Sequence, residues 1–160
     1  MCQPGSDFPY TVEFMIKVAT DQQIQDLMTL PAGYATVVGN DIVHLPDFIK
    51  SCTPLFVRRV FTKAELEYCE QFNDRNLRYA STWAAKEAVY KCIKQLNEDH
   101  RLWWRDIEIF RDKPQGKPMV SIAKIPDLPG IALTISHDGD YVWAVAAATF
   151  GGPKAISVPV

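Results

Sequence analysis

The sequence has no long hydrophobic run. Its longest apolar stretches are short, such as VWAVAAA at residues 142–148, whereas a membrane-spanning helix needs roughly 20 apolar residues in a row. The first residues, MCQPGSDFPY, contain neither a basic segment nor the apolar core of a signal peptide. These absences predict a protein without membrane association that works in the cytoplasm.

Cysteine motifs and a strong excess of one charge are also missing. Four scattered cysteines form no C-x-x-C pair, so we expect reduced thiols and no zinc site or disulfide framework. The net charge of −2 over 160 residues argues against a general nucleic-acid binder. The chain also lacks G-x-S-x-G, G-x-G-x-x-G and Walker A motifs.

The composition that remains is ordinary for a globular protein, with 48 % hydrophobic and 22 % charged residues. Runs of β-branched and aromatic residues predict strands at 11–19, 34–45, 106–112, 118–123, 131–137 and 141–150. Capping boxes and apolar periodicity predict helices at 20–30, at 46–52, after Thr62, and over 76–96. This order favours an α+β fold, in which a largely antiparallel sheet packs on the long helix.

Asp41 is the first candidate functional residue. Alternation along its predicted strand places Val37, Gly39, Asp41 and Val43 on one face. A carboxylate on an apolar face is unfavourable unless it is paired, hydrogen-bonded or bound to a metal. Gly39 would leave room there for a close approach. The alternative is a structural aspartate that bonds a neighbouring loop.

Glu87, in the predicted helix over 76–96, is the second candidate. Glu87 and Lys91 lie about 40° apart around the helix axis, on the shoulder of an apolar stripe that contains Ala88. A Glu–Lys pair at this spacing is also the favoured surface ion pair of helices, worth roughly 0.3–0.5 kcal/mol. The small residues around Glu87 and the second cation, Lys86, favour a ligand site instead.

The segment TISHDGDY (134–141) is the third candidate. Its DG dipeptide between two predicted strands indicates a hairpin turn. His137 ends the first strand, where it could donate to a phosphate or bond the turn backbone. Ser136 and His137 are adjacent and point to opposite faces of a strand, which argues against a nucleophile–base pair.

Taken together, these segments resemble the small bacterial holo-acyl-carrier-protein synthases, one type of 4′-phosphopantetheinyl transferase. The similarity lies in GNDIV (39–43), RRVFTKAELEYC (58–69), WAAKEAVYK (83–91), DIEI (106–109), GKP (116–118) and ISHDGDYVWAVA (135–146). It implies the fold of that family for residues 36–150. Residues 1–35 are then an N-terminal extension without an assigned role, and residues 151–160 a flexible tail.

The resemblance implies a reaction. Such enzymes transfer the 4′-phosphopantetheine group of coenzyme A to a serine of an acyl carrier protein, in fatty-acid or polyketide biosynthesis, and release adenosine 3′,5′-bisphosphate. Asp41 and Glu87 would bind Mg²⁺, and Lys91 would reach the phosphates and assist the leaving group. Further contacts with coenzyme A are implied for Lys86, Gly116, Lys117, Pro118, Ser136 and His137.

The resemblance also implies partners. They are an acidic carrier protein and two further copies of the chain, in a homotrimer whose active sites are shared between subunits. Asp47 departs from the family pattern, which often has a basic residue six positions after the metal aspartate. Two alternatives stay open: another Mg²⁺-dependent hydrolase of nucleotide phosphates, and a catalytically weak or inactive carrier-binding subunit with the same fold.

Overall fold

The fold begins with a strand and a series of helices, in the part of the chain that the computed structural model describes (residues 34–114, 116–125 and 130–151). Strand β1 is Tyr34–His44, and the helices are α1 (Leu45–Ser51), α2 (Pro54–Val60), α3 (Lys63–Cys69) and α4 (Arg75–Leu96). A 3₁₀ turn at Trp104–Asp106 leads into β2 (Ile107–Phe110), β3 (Met119–Ile122), β4 (Ile131–Asp138) and β5 (Tyr141–Gly151). The strand predicted at 11–19, the helix predicted at 20–30 and the tail after residue 151 lie outside the described residues.

Strands β4 and β5 form the predicted hairpin. They pair antiparallel from Ile131 opposite Ala148 to Asp138 opposite Tyr141. Gly139 in the turn has a φ of 52°, which glycine adopts without the steric strain of other residues. A positive φ at this position is typical of the tight turns that match the twist of a hairpin.

Strand β1 lies on the other side of β5, which gives the sheet order β1-β5-β4. Thr36 Oγ1 lies 3.0 Å from Thr149 Oγ1, and at the other end His44 packs on Tyr141 with ring centroids 5.1 Å apart. These contacts show that β1 also runs antiparallel to β5. Strands β2 and β3 pair antiparallel in a separate two-stranded sheet. The predicted α+β fold with an antiparallel sheet is confirmed.

Helix α4 packs on the three-stranded sheet and is the centre of the core. Its predicted apolar stripe is buried at Ala84, Ala88 and Cys92. Strand β1 crosses the helix so closely that a Cβ on Gly39 would lie 2.0 Å from the Ala88 carbonyl oxygen and 2.5 Å from the Cys92 nitrogen. Gly39 therefore makes room for the helix backbone, and the close approach expected at this glycine is that of α4.

The short helices begin at recognisable caps. Thr62 and Glu65 form the predicted capping box of α3. Helix α2 was not predicted as a separate element, although Thr53 accepts a hydrogen bond from Phe56 N at 3.2 Å and Pro54 follows it, which is a standard start signal. No helix of the described residues is long and apolar enough to cross a membrane.

Candidate active site

An open cleft of about 380 Å³ lies between the end of β1 and helix α4. Asp41 enters it from β1, because strand alternation turns this side chain towards α4. Glu87 enters from α4, because it lies on the shoulder of the buried stripe. The cleft is lined by Asp41, Ile42, Val43, His44, Asp47, Phe48, Ser51, Phe56, Trp83 and Glu87.

Lys91 lies beside the charged end of this cleft, where it pairs with Asp41. Its Nζ donates to Asp41 Oδ1 at 2.7 Å and to the Asn40 carbonyl oxygen at 3.0 Å. The Asp41 side chain is 16 % exposed and that of Lys91 is 47 % exposed, so the ammonium lies at the border between cleft and solvent. Lys91 thus pairs with the carboxylate of β1 and not with Glu87 on its own helix. The structure brings Asp41, Glu87 and Lys91 together as predicted.

Glu87 has an environment that disfavours its charge. Burial raises the pKa of Glu87, the nearby Asp41 carboxylate raises it further, and Lys91 partly opposes both effects. Two carboxylates that repel each other in a partly desolvated cleft are stabilised by a cation between them. In the described residues no cluster of three or more His, Cys, Asp or Glu side chains could hold a metal, so a metal here would have two protein carboxylates.

Lys86 does not belong to the cleft. Its side chain is completely buried and forms an ion pair with Glu65, with Nζ 2.8 Å from Oε2. The ammonium also donates to the carbonyl oxygens of Trp104 and Ile107. All three N–H groups are therefore used inside the protein, and the expected contact between Lys86 and a phosphate is wrong.

The remaining predicted contact residues also lie away from the cleft lining. Gly116 N donates to the Lys113 carbonyl oxygen at 2.8 Å and turns the chain between β2 and β3, ahead of Lys117 and Pro118. Ser136 and His137 are exposed on β4. The described chain therefore provides the carboxylates and Lys91 in one place, and the GKP loop and His137 in others.

Residues 37–146 match the family model of the 4′-phosphopantetheinyl transferase superfamily. The chain belongs to this superfamily. The holo-[acyl-carrier-protein] synthase of Protochlamydia amoebophila is 36 % identical over 116 residues, which cover 68 % of this chain and 93 % of that protein. The predicted family resemblance is confirmed.

Other relatives of the chain are much longer proteins. The fatty acid synthase alpha subunit hexA of Dothistroma septosporum is 36 % identical over 119 residues, which cover 74 % of this chain and 36 % of that protein. The fatty acid synthase alpha subunit aflA of Aspergillus parasiticus is 34 % identical over 122 residues, which cover 72 % of this chain and 7 % of that protein. The chain therefore spans only a small part of several curated relatives.

Solved structures confirm the transferase fold. The apo-ACPS structure from Chronobacterium ammoniagenes has a TM-score of 0.63 at 29 % identity and covers 73 % of this chain and 98 % of its own. The ACPS–CoA complex from the same organism has a TM-score of 0.60 at 30 % identity, with coverages of 71 % and 96 %. The holo-ACP synthase of Plasmodium yoelii has a TM-score of 0.59 at 28 % identity, with coverages of 75 % and 99 %.

The rim of the transferase cleft carries a cluster that the sequence reasoning did not assign. Asp47 accepts from Lys50 Nζ at 2.8 Å and pairs with His44 Nδ1 at 2.7 Å. The hydrogen bond from Lys50, followed by that from His44, lowers the pKa of Asp47 to about 2. The spacing of three residues between His44, Asp47 and Lys50 in a helical segment was the available signal.

Aromatic side chains form another part of the cleft lining. Phe56 packs edge-on against Trp83 with ring centroids 5.1 Å apart, and Phe48 packs on Phe56 at 5.9 Å. Trp83 lies four residues before Glu87, so both side chains are on one face of α4. The cleft thus combines a charged end with an apolar wall.

Proposed function

We propose that this chain transfers the 4′-phosphopantetheine group of coenzyme A to a serine of an acyl carrier protein and releases adenosine 3′,5′-bisphosphate. The observation that carries the proposal is the meeting of Asp41 and Glu87 in one cleft, with Lys91 bonded to Asp41 beside it, in a chain that belongs to this transferase superfamily. The reaction belongs in the cytoplasm, where coenzyme A and reduced thiols are both expected.

The two carboxylates suit Mg²⁺. This ion is bound in phosphate enzymes by one or two carboxylates together with substrate phosphates and water, and Asp41 and Glu87 are such a donor set. Burial and then repulsion from Asp41 raise the pKa of Glu87, and a divalent cation would relieve the repulsion. When bound, Mg²⁺ would neutralise charge that develops on the pyrophosphate of coenzyme A.

Lys91 has the position for a phosphate contact. Its half-exposed ammonium is already at the charged end of the cleft and would exchange its hydrogen bond to Asp41 for one to a phosphate oxygen. A cation at the leaving nucleotide stabilises the negative charge that forms as the bond to phosphorus breaks. The attacking hydroxyl is the carrier's serine, so this chain binds and orients both substrates without supplying a nucleophile.

The carrier is an acidic protein in this proposal. Lys50 on α1 offers positive charge at the cleft, although its bond to Asp47 offsets part of it. The exposed Arg58 and Arg59 at the end of α2 add positive charge for such a partner. Opposite charges on the two surfaces would steer the encounter and orient the carrier's serine towards Glu87 and Asp41.

A homotrimer completes the proposed site. The sheet face that points away from α4 exposes large apolar side chains, and patches of this kind mark interaction surfaces. The patch, called the outer sheet face below, consists of Val38, Ile42, Tyr141 and Trp143. Lys117 and His137 lie outside the cleft lining of their own chain. In a trimer, a neighbouring copy would bring its Lys117 and His137 to these carboxylates.

Release of adenosine 3′,5′-bisphosphate from coenzyme A tests the function against its two alternatives. With Mg²⁺ present, the product should appear when an apo carrier protein is added, and should not appear with a carrier whose acceptor serine is replaced by alanine. Product without any carrier would identify a hydrolase. No product, together with retained carrier binding, would identify an inactive carrier-binding subunit.

A further inference from the structure

Glu65 and Lys86 form an ion pair in the interior of the protein. The Lys86 Nζ lies 2.8 Å from Glu65 Oε2, and the two side chains are 0 % and 1 % exposed. The other N–H groups of the ammonium donate to Trp104 O at 2.9 Å and Ile107 O at 2.5 Å. These two carbonyls belong to the 3₁₀ turn before strand β2 and to the first residue of β2, so Lys86 attaches α4 to the start of that strand.

Glu65 connects two further elements. Its Oε2 also accepts from Thr62 N at 2.8 Å, which closes the capping box of α3. Its Oε1 accepts from Ile109 N in β2 at 2.9 Å. One carboxylate thus joins the start of α3, the middle of α4 through Lys86, and strand β2.

Stability alone does not account for this pair. Burial raises the pKa of Glu65 and lowers the pKa of Lys86, because each charged form loses water. Apolar residues of similar volume in place of a buried ion pair are often neutral or more stable by ~1–4 kcal/mol. The pair instead sets the relative positions of three elements, because its hydrogen bonds restrict the distances and rotations between them more narrowly than apolar contacts do.

The elements that the pair joins carry the two separate parts of the proposed coenzyme A site. Lys86 directly precedes Glu87, and the two side chains leave α4 about 100° apart. The bonds of Lys86 therefore set the rotation of α4 about its axis, and with it the direction in which Glu87 points. Strand β2 leads into the loop that carries Lys117. The distance between Glu87 and Lys117 within one chain therefore depends on this pair. In a symmetric assembly, the pair in each copy would likewise determine the position of the loop that reaches the cleft of a neighbouring copy.

We propose that Glu65 and Lys86 are positioning residues, which hold the cleft carboxylates and the loop at residues 116–118 at the separation that coenzyme A requires. This role rests on the proposed function. Neither side chain touches a substrate. A folded protein that lacks the pair should therefore lose affinity for coenzyme A, which spans both parts of the site, and keep its affinity for the carrier.

The double variant Glu65→Gln/Lys86→Met tests this role in a steady-state transfer assay in which coenzyme A and carrier are varied separately. We expect the KM for coenzyme A to rise about tenfold or more, because the two displaced parts of the site would no longer contact coenzyme A at the same time; a tenfold change corresponds to about 1.4 kcal/mol. The KM for the carrier should stay within about twofold. A purely structural role would lower the folded fraction, and so kcat, with both KM values unchanged.

Thr82→Val is the matched control. Thr82 is 1 % exposed and lies one helical turn before Lys86, and its hydroxyl lies 3.8 Å from Cys69 Sγ, on α3 and not on the segment before β2. The control should leave both KM values unchanged. A folded double variant with the wild-type KM for coenzyme A would overturn the positioning role.

Two further measurements cover the remaining outcomes. If the double variant does not fold, calorimetry of coenzyme A binding to Glu65→Gln replaces it, with weaker binding by about tenfold expected and unchanged binding counting against the role. If the wild-type chain modifies no carrier, the proposed function fails. The same calorimetry on wild type and variants then still decides whether the pair positions a coenzyme A site.

Discussion

Lys91 forms an ion pair with Asp41, one of the two carboxylates that would bind a metal ion. Its Nζ lies 2.7 Å from Asp41 Oδ1, so in the free protein one lysine balances part of the negative charge of the cleft. If Mg²⁺ bound together with coenzyme A, as proposed, Asp41 and Glu87 would hold it and the ammonium of Lys91 would be available to the phosphates. The two contacts of Lys91 would therefore alternate during turnover.

We predict that Lys91→Met lowers kcat by about 10²-fold, because it removes one preorganised donor to the leaving group. The KM for coenzyme A should change less than about threefold. Steady-state kinetics of the transfer reaction measure both values. Lys94→Met, three residues further along the same helix, is the control, because the Lys94 ammonium donates to the Glu98 carbonyl oxygen and not to Asp41. An unchanged kcat for Lys91→Met would remove this residue from the catalytic set.

Asp41→Ala and Glu87→Ala should each reduce transfer by about 100-fold or more, since either change removes one of the two carboxylates that would bind the proposed Mg²⁺. Both variants should keep the wild-type circular dichroism spectrum, because the two side chains lie at the cleft and not in the core. Glu98→Ala, after the end of α4, should keep full activity. Full activity of both cleft variants with Mg²⁺ would refute the assignment.

The residues of the cleft could be predicted where their position depends on local periodicity. Strand alternation turned Asp41 inward, and helix periodicity placed Glu87 and Lys91 on one shoulder of α4. Lys86 could not be assigned in the same way. Whether a helical lysine faces solvent depends on what packs over it, and here this is Glu65 on α3 together with the backbone before β2.

The contact between β1 and α4 is the element-scale feature that brings Asp41 to Glu87. It requires a glycine, because a Cβ at residue 39 would meet the Ala88 carbonyl oxygen at 2.0 Å. A backbone atom cannot move aside as a flexible side chain can. The separation of strand and helix, and with it the width of the cleft, is therefore set at Gly39.

Gly39→Ala should destabilise the protein by about 3 kcal/mol, at the upper end of what overpacking usually causes, because the strand must move away from the helix. Urea unfolding measures the change in free energy. Gly130→Ala is the control, since no atom lies within 4 Å of a Cβ built there. Equal stability of both variants would contradict the close crossing of β1 and α4.

The elements themselves were predictable to different degrees. Helix α4 and the β4–β5 hairpin followed from a long apolar period and a DG turn. Helix α2 was not predicted as a separate element, because only Thr53 and Pro54 mark its start between two other short helices. The division of the strands into two sheets could not be predicted, since pairing between distant strands depends on tertiary packing and not on the local pattern.

At the scale of the whole molecule, the outer sheet face sets the expected assembly. Ile42 is 65 % exposed and Trp143 54 % exposed, on strands whose opposite face packs on α4. Burial of such side chains between subunits would stabilise the assembly by about 25 cal/mol for each Å² of apolar surface removed from water. The same association would bring the GKP loop of one copy towards the cleft of another.

Trp143→Glu should convert a trimer into monomers, because it places a charge in the proposed subunit contact. Light scattering coupled to size-exclusion chromatography gives the mass of each species. Trp103→Glu is the matched control, since Trp103 is 77 % exposed but lies before β2 and away from the outer sheet face. A Trp143→Glu protein that still forms trimers would exclude this face as the contact.

Intact-protein mass spectrometry of an apo acyl carrier protein tests the central claim most directly. The carrier is incubated with this chain, coenzyme A and Mg²⁺, with and without a chelator, and a separate sample with an established transferase shows that the carrier is competent. We predict the addition of one phosphopantetheine group, which the chelator abolishes. The proposed transferase activity would be contradicted if competent carriers from both fatty-acid and polyketide pathways stayed unmodified.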